Sequence, residues 1–178
     1  MAITVTRKGY GQVEPNHLSG IVTGQIYAQL PVVNGVNKLE QGQFAKYNYA
    51  LGQVDFSGEG EWMLIYNEEK LYDERKQSHK DFCYKKTDFT DEKMYPRLIK
   101  TNVGDIFTTN TFGANNSSED ASYTGPALAT GDYLTVNSSG FLAKATGTGK
   151  PADGMVWQVV KEYTMPDGQP GVKIQRIQ

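Results

Sequence analysis

Turn-forming residues interrupt every apolar run in the last fifty residues, and these frequent turns limit the folds that the chain can adopt. Gly, Pro, Asn and Ser cluster at residues 137–140, 147–151 and 166–171, between runs of apolar residues. The final run, residues 172–177, alternates apolar and polar side chains as a half-buried strand does. Short strands joined by such turns predict a small antiparallel β-barrel or sandwich in the C-terminal half.

The composition also predicts a mainly β fold. The chain has 19 glycines and 11 tyrosines, and glycine favours turns while aromatic side chains fit a pleated sheet. Residues 3–6 and 44–49 alternate over short lengths, and the residues between them show no helical period. We therefore expect an extended N-terminal arm and a strand-rich N-terminal region with at most one or two short helices. Asn67, followed by two glutamates, predicts one such helix.

The distribution of charge suggests a boundary near residue 93. Residues 61–100 carry nine acidic and nine basic side chains, a balance typical of a solvated face, with a polar contact surface as the alternative. A more regular pattern begins at Met94. We assign residues 1–93 to the N-terminal arm and strand-rich region, and residues 94–178 to a β-barrel-like domain. A polar, glycine-rich stretch predicts a loop insertion near residues 111–126.

A short pattern occurs twice in the second region. Gly104-Asp105 precedes an apolar segment that ends at Asn110, and Gly131-Asp132 precedes another that ends at Asn137. We predict the same local structure at both places, a Gly-Asp turn followed by a strand.

Charge and cysteine content narrow the classes of partner. The formal net charge is −2, whereas a nucleic-acid surface needs clustered excess Lys and Arg, so we expect no nucleic-acid partner. Cys83 is the only cysteine and cannot form an internal disulfide, which suits synthesis in a reducing cytoplasm. No segment has the pattern of a signal peptide or membrane span, and we expect no membrane partner.

Two motifs resemble ligand sites but lack necessary residues. Residues 146–150 look like the end of a phosphate loop, but Lys144 and Pro151 stand where the motif requires Gly and Ser or Thr. His79, Asp81 and Cys83 would share one face of a strand, yet no second cluster completes a metal site. We predict no cofactor and no metal.

Catalytic groups are also scarce. Acidic pairs occur at residues 59 and 61, 73 and 74, and 91 and 92, and two carboxyl groups in a cleft could support hydrolysis. Solvated surface charge explains the same spacing. No serine lies in a nucleophile elbow. The chain has two histidines, so few residues could act as the base for a nucleophile. We therefore predict no catalytic residue and no enzyme.

The aromatic residues of the first half favour binding. Tyrosine contributes a large contact area at low entropic cost and is common at protein interfaces and on sugar-binding surfaces. The alternative, that most of these side chains fill the core, stays open. The predicted partner-contact residues are Ile3, Val5, Tyr10, Ile26, Tyr27, Tyr47 and Tyr49.

Three segments carry a resemblance to a known family. Residues 127–136 contain a Gly-Asp strand, residues 140–145 a short apolar strand ending in Ala, and residues 151–156 a Gly-apolar-Val strand. In this order they resemble the small β-barrel capsid decoration (cement) proteins of tailed bacteriophages. Residues 44–112 also look like virion head proteins, through residues 60–63 and 70–75.

The resemblance implies a role in the virion and no active site. Decoration proteins bind the outer surface of an icosahedral capsid, often as trimers, and stabilise it. It implies the major capsid protein as partner, a homo-oligomer with a trimer favoured, and a place on the capsid surface after synthesis in the host cytoplasm. The alternative is a carbohydrate-binding or adhesion module of a phage fibre or tail. A hydrolase with two carboxylates in a deep pocket is a third hypothesis.

Overall fold

The computed structural model describes residues 2–67, 83–86, 93–113, 122–147 and 149–178. These residues form fifteen strands and one helix of four residues, so the predicted mainly β fold is confirmed. The helix is α1 (Ser19–Val22), and it lies in a segment that the sequence indicated to be extended. The helix predicted after Asn67 falls outside the described residues.

The strands are short and follow one another closely. In chain order they are β1 (Ile3–Lys8), β2 (Val13–His17), β3 (Ile26–Tyr27), β4 (Lys38–Glu40), β5 (Phe44–Asn48), β6 (Gln53–Asp55), β7 (Met63–Ile65), β8 (Cys83–Lys85), β9 (Leu98–Ile99), β10 (Ile106–Thr109), β11 (Ser122–Leu128), β12 (Tyr133–Val136), β13 (Leu142–Lys144), β14 (Val156–Thr164) and β15 (Pro170–Arg176). β11 includes residues 122–126, so the end of the predicted loop insertion is a strand instead. This strand forms because residues 122–128 pair with β1.

A six-stranded antiparallel sheet contains the predicted C-terminal strands. Its order is β13-β12-β14-β15-β10-β2, and none of the sheets in the described part of the chain closes into a barrel. Of the two predicted architectures, the structure agrees with the sandwich. Turns at the predicted positions separate β12 from β13 and β14 from β15.

The Gly-Asp pattern forms the same turn at both positions, as predicted. Gly104 and Gly131 have φ values of 98° and 94°, which glycine adopts without steric cost. In each turn the aspartate side chain accepts a hydrogen bond from the backbone three residues earlier, at 2.9 Å for Asp105 and 2.8 Å for Asp132. Each turn then leads into a strand that stops one residue before Asn110 or Asn137.

The N-terminal region contributes two strands, β1 and β2, to the sheets. β1 pairs with β11, and β2 pairs with β10 at the edge of the six-stranded sheet. The physical reason is that a strand must satisfy its backbone hydrogen bonds, and the chain itself supplies the neighbours. Strand pairs such as these cross residue 93, and the division into residues 1–93 and 94–178 stays a prediction.

Two hydrophobic clusters lie on either side of β5. The larger cluster contains Phe44, Phe107 and Trp157, whose rings pack closely, with Phe107 and Trp157 edge to face at 4.9 Å. The smaller cluster lies beneath Ala45 and Tyr47. Because successive side chains of a strand point to opposite faces, β5 contributes Phe44 to one cluster and Ala45 to the other. β5 belongs to the five-stranded sheet β3-β9-β7-β5-β6.

A buried ion pair joins β1 to β4. The Arg7 guanidinium donates to Glu40 Oε2 at 2.8 Å, and the same oxygen accepts the Gly11 N–H at 2.9 Å. Arg7 also donates to the Gly113 carbonyl and lies over the ring of Tyr123. Three side chains and two backbone groups, from five separate places in the chain, therefore meet at this pair.

Candidate binding surface

The predicted partner-contact residues separate by burial. Val5, Tyr10 and Tyr47 are buried, because each packs beneath a sheet or against neighbouring side chains. Val5 and Tyr10 expose almost none of their surface, and their role as partner contacts stays a prediction. Ile3, Ile26 and Tyr27 are half-buried. Tyr49 is 74% exposed.

Three of these residues form a row of rings. Tyr27 and Tyr47 meet edge to face with centroids 5.4 Å apart, and Tyr47 and Tyr49 do so at 5.6 Å. The Tyr47 hydroxyl accepts a hydrogen bond from the Gln29 N–H at 3.0 Å. Tyr49 therefore leans on a buried, anchored ring although most of its own surface is open to solvent.

Tyr49 lies at the edge of an open groove of about 390 Å³, which we name the tyrosine groove. One wall is the end of β5 and the turn toward β6, and the other is the loop after β6. The first wall ends in Leu51, which is 68% exposed. The lining residues are Tyr47, Asn48, Tyr49, Ala50, Leu51, Ser57, Gly58, Glu59 and Gly60.

Asp55, a buried residue at the end of β6, fixes both walls of the tyrosine groove. Its Oδ1 accepts the backbone N–H groups of Ser57 at 3.1 Å and Gly58 at 2.7 Å. Its Oδ2 accepts from the Asn48 side-chain amide at 3.0 Å, and Asn48 in turn accepts the Leu51 N–H at 3.2 Å. One carboxylate thus organises the turn and the facing loop.

The environment of Asp55 keeps it ionised. Burial alone would raise the pKa of this carboxyl, but the hydrogen bonds from Asn48, Gly58 and Ser57 outweigh burial and lower the pKa below its usual 3.8. Hydrogen bonds donated to a carboxylate favour its charged form. The groove walls are therefore held by a carboxylate that accepts hydrogen bonds from both of them.

Gly58 and Gly60 allow the loop to lie close to β5. A Cβ atom at Gly60 would come within 2.8 Å of the Tyr47 carbonyl oxygen, a contact that real Cβ atoms essentially never make. A Cβ at Gly58 would meet Asp55 Oδ1 at 3.1 Å. A larger side chain at either position would move the loop and change the width of the groove.

The two glutamates of this loop differ in their ion pairs. Glu59 is exposed and is the only carboxylate or cation among the described residues that line the tyrosine groove. Glu61 pairs with Arg176 at 2.8 Å and with Lys100 at 3.4 Å. The two carboxylates that the sequence offered as an acid–base pair thus differ in role, since only Glu61 is held by cations.

A second depression, the tryptophan groove, lies on the other side of Gly60. It has a volume of about 460 Å³ and contains Trp62, with the Lys46 ammonium 4.6 Å from the ring centroid. Two cations, Lys46 and Arg176, and two anions, Glu61 and Asp153, line it. Its charges therefore balance.

The pattern of His79, Asp81 and Cys83 can be followed only at Cys83, because His79 and Asp81 lie outside the described residues. Cys83 is buried, and burial together with the nearby Glu40 charge raises the pKa of its thiol to about 12. Such a thiol is unreactive at neutral pH. Within the ranges that the structure describes, no three His, Cys, Asp or Glu side chains are grouped to hold a metal ion.

The sequence interpretation missed Asp55 and Leu51. A signal for Asp55 was present, because Asp-x-Ser-Gly is a pattern in which the aspartate accepts backbone hydrogen bonds two and three residues later. Leu51 carried no signal, since a single apolar residue beside glycine in a turn is common. Both residues became evident only through the loop geometry.

No protein-family description, curated protein sequence or solved structure matches this chain significantly. None of the helices among the described residues has the length and apolar character of a transmembrane span.

Proposed function

We propose that this chain is a virion structural protein that binds the outer surface of an icosahedral capsid and stabilises it, with the major capsid protein as partner. The observation that carries the proposal is the exposure of Tyr49 and Leu51 side by side on one turn. Large apolar side chains grouped at the surface are typical of interaction sites, and tyrosine is enriched there.

The fixed geometry of this surface supports a binding role. Tyr49 rests on buried Tyr47, and Asp55 holds the turn that carries Leu51 through Asn48. A side chain already held in position loses less conformational entropy on binding, so more of the contact energy remains as affinity. This surface is therefore suited to stable attachment.

The proposal includes assembly as a trimer at a capsomer junction on the virion surface. It draws on the likeness of residues 127–156 to decoration proteins and on the mainly β fold. The tyrosine groove would face the capsid.

The test uses purified capsids assembled without this chain. Added protein should co-sediment with them and raise their disassembly temperature. A variant with Tyr49→Ala and Leu51→Ala should lose most of the binding, since anchors at the centre of an interface contribute about 2 kcal/mol or more each. Absence of co-sedimentation by the unaltered protein would rule out the decoration role.

A matched control comes from exposed valines elsewhere. Val22 is 82% exposed and Val103 is 67% exposed, and neither lines the tyrosine groove. A variant with both valines changed to alanine should bind as the unaltered protein does. Equal loss in the two double variants would show that the groove is not the specific contact.

The tryptophan groove favours a second candidate function, a carbohydrate-binding or adhesion module. An aromatic ring beside balanced charges offers hydrogen-bond donors and acceptors to a neutral sugar without attracting polyions. A glycan array should then show binding that Trp62→Ala removes. An array with no signal above background would eliminate this candidate.

A further inference from the structure

We propose that the tyrosine groove receives a basic side chain, arginine or lysine, from an extended segment of the partner. The inference rests on the proposed docking of that partner through Tyr49 and Leu51, and it names the chemistry the partner must bring. The ammonium or guanidinium would pair with Glu59, while its methylene stem would lie against Tyr49 and Leu51.

Charge complementarity carries the argument. Among the residues that the structure describes, Glu59 is the one charged side chain lining the groove. Within the described part of the chain no lysine or arginine pairs with it, whereas Glu61, two residues later, has two cations. The groove thus presents a carboxylate that is open to a cation of a partner.

The position of Glu59 makes that counter-charge necessary. Tyr49, Leu51 and Glu59 line one depression, so a partner that covers the two apolar side chains also displaces water from the carboxylate. Removing water from an unpaired carboxylate is costly. A purely apolar partner would incur this cost, and an acidic partner would add repulsion. A cationic side chain offsets it with an opposite charge, which neither of these partners supplies.

The aromatic wall fits the same ligand. Cations bind over aromatic faces, and arginine does so while pairing in a bidentate manner with carboxylates. Tyr49 is 74% exposed and is supported from behind by Tyr47. Asp55 does not compete for the cation, because it is buried and its oxygens already accept from Asn48, Ser57 and Gly58.

The first experiment measures capsid binding by Glu59 variants. Glu59→Gln keeps the shape and should weaken binding about tenfold, and Glu59→Lys should weaken it by more than about a hundredfold. Asp153→Lys makes the same charge reversal at an exposed residue of the tryptophan groove and should bind within about twofold of the unaltered protein.

The outcomes separate the two proposals. Capsids that bind the unaltered protein and Glu59→Lys equally overturn the basic-segment inference and leave the decoration role standing. Equal weakening by Glu59→Lys and Asp153→Lys also overturns it, because a general charge effect would then explain both. Capsids that bind no form of the protein count against the decoration role itself.

A second experiment does not depend on capsids. A displayed library of random heptapeptides is selected on immobilised full-length protein and, in parallel, on immobilised Glu59→Lys. Selection on the unaltered protein should enrich peptides with Arg or Lys beside apolar residues, and selection on the variant should not. Failure to enrich any peptide, enrichment without basic residues, or the same peptides on both surfaces overturns the inference.

Discussion

Glu40 and Asp55 are both buried carboxylates, with 3% and 6% of their surface exposed, but the chain holds them in different ways. Glu40 has a cation, Arg7, which comes from a strand 33 residues earlier in the sequence. Asp55 pairs with no cation in the part of the chain that the structure describes, and it accepts hydrogen bonds from residues at most seven positions away. The first joins distant strands, and the second shapes one local surface.

This difference separates two uses of a buried charge. An ion pair between distant strands specifies which parts of the chain meet, and loss of one partner leaves the other charge without compensation. A carboxylate surrounded by backbone donors specifies the form of a turn and a loop. We therefore expect changes at Glu40 and Arg7 to affect overall stability, and changes at Asp55 to affect the tyrosine groove as well.

Removal of the Arg7 charge should have the largest effect. Arg7→Met removes the guanidinium that donates to buried Glu40 at 2.8 Å and should lower the free energy of unfolding by about 3 to 5 kcal/mol. Urea unfolding followed by circular dichroism measures this. The double variant with Glu40→Gln should recover a large part of the loss, because glutamine can still accept the Gly11 N–H. A double variant as unstable as Arg7→Met would contradict the pairing.

Asp55→Asn should have the next largest effect. The amide brings its own donor toward the Asn48 amide and removes the charge that Ser57 and Gly58 bind, so the expected loss is about 2 to 3 kcal/mol. The same unfolding measurement applies. Capsid binding should fall as well, since both walls of the groove lose their common anchor. Unchanged binding by a folded Asp55→Asn protein would show that the hydrogen bonds of Asp55 are not needed for the binding surface.

Gly60→Ala should have a smaller cost. The new Cβ atom meets a backbone oxygen, and the loop must shift at an expected cost of about 1 to 2 kcal/mol. Gly149→Ala provides the control, because a Cβ there meets nothing within 4 Å and the backbone is outside the left-handed region. Equal melting temperatures for the two variants would argue against the close approach of the loop to β5.

The pH dependence should give a smaller and more specific signal. The folded pKa of Asp55 lies below 3.8 because the donated hydrogen bonds outweigh the opposing effect of burial. Its stabilisation is therefore complete above the unfolded value and is lost as the pH falls through the folded pKa. The stability difference between the unaltered protein and Asp55→Asn should stay constant near neutral pH and narrow below about pH 4. A constant difference down to pH 2 would contradict the lowered pKa.

Tyr49→Ala should change stability least. Surface substitutions of this kind usually stay within about 0.5 kcal/mol, and Tyr49 is mostly exposed. Thermal unfolding should therefore be nearly unchanged while capsid binding is reduced. A large loss of stability would mean that the ring serves the core instead of the interface.

Local chemistry made much of the C-terminal half predictable. The turns at residues 137–140 and 166–171 limit strand length, and each Gly-Asp turn combines a glycine at positive φ with an aspartate that accepts a nearby N–H. These interactions join residues only a few positions apart, so they can be predicted from the local sequence. The strands they delimit, β12 to β15, follow the predicted order.

Long-range pairing was not predictable from one sequence. Nothing in the alternation of residues 3–6 indicates that β1 pairs with β11, or that Arg7 meets Glu40. Burial was equally hard to assign from the sequence. Tyr47 and Tyr49 belong to one alternating segment, yet Tyr47 is buried and Tyr49 is exposed. The reason is that β5 ends between them. Tyrosine composition indicated binding, and the end of the strand determined which ring is available.

The pairing of β1 with β11 has a consequence for the order in which the chain acquires its structure. During synthesis β1 leaves the ribosome more than a hundred residues before Leu128, the residue opposite Ile3. β2 likewise cannot pair until β10 has been synthesised, and β3 cannot pair until β9 has been synthesised. Contacts between distant residues slow folding, so the first strands should stay unpaired until most of the chain has been made. A nascent chain halted before residue 122 should therefore be cleaved readily near its N-terminus, and a full-length chain should resist that cleavage.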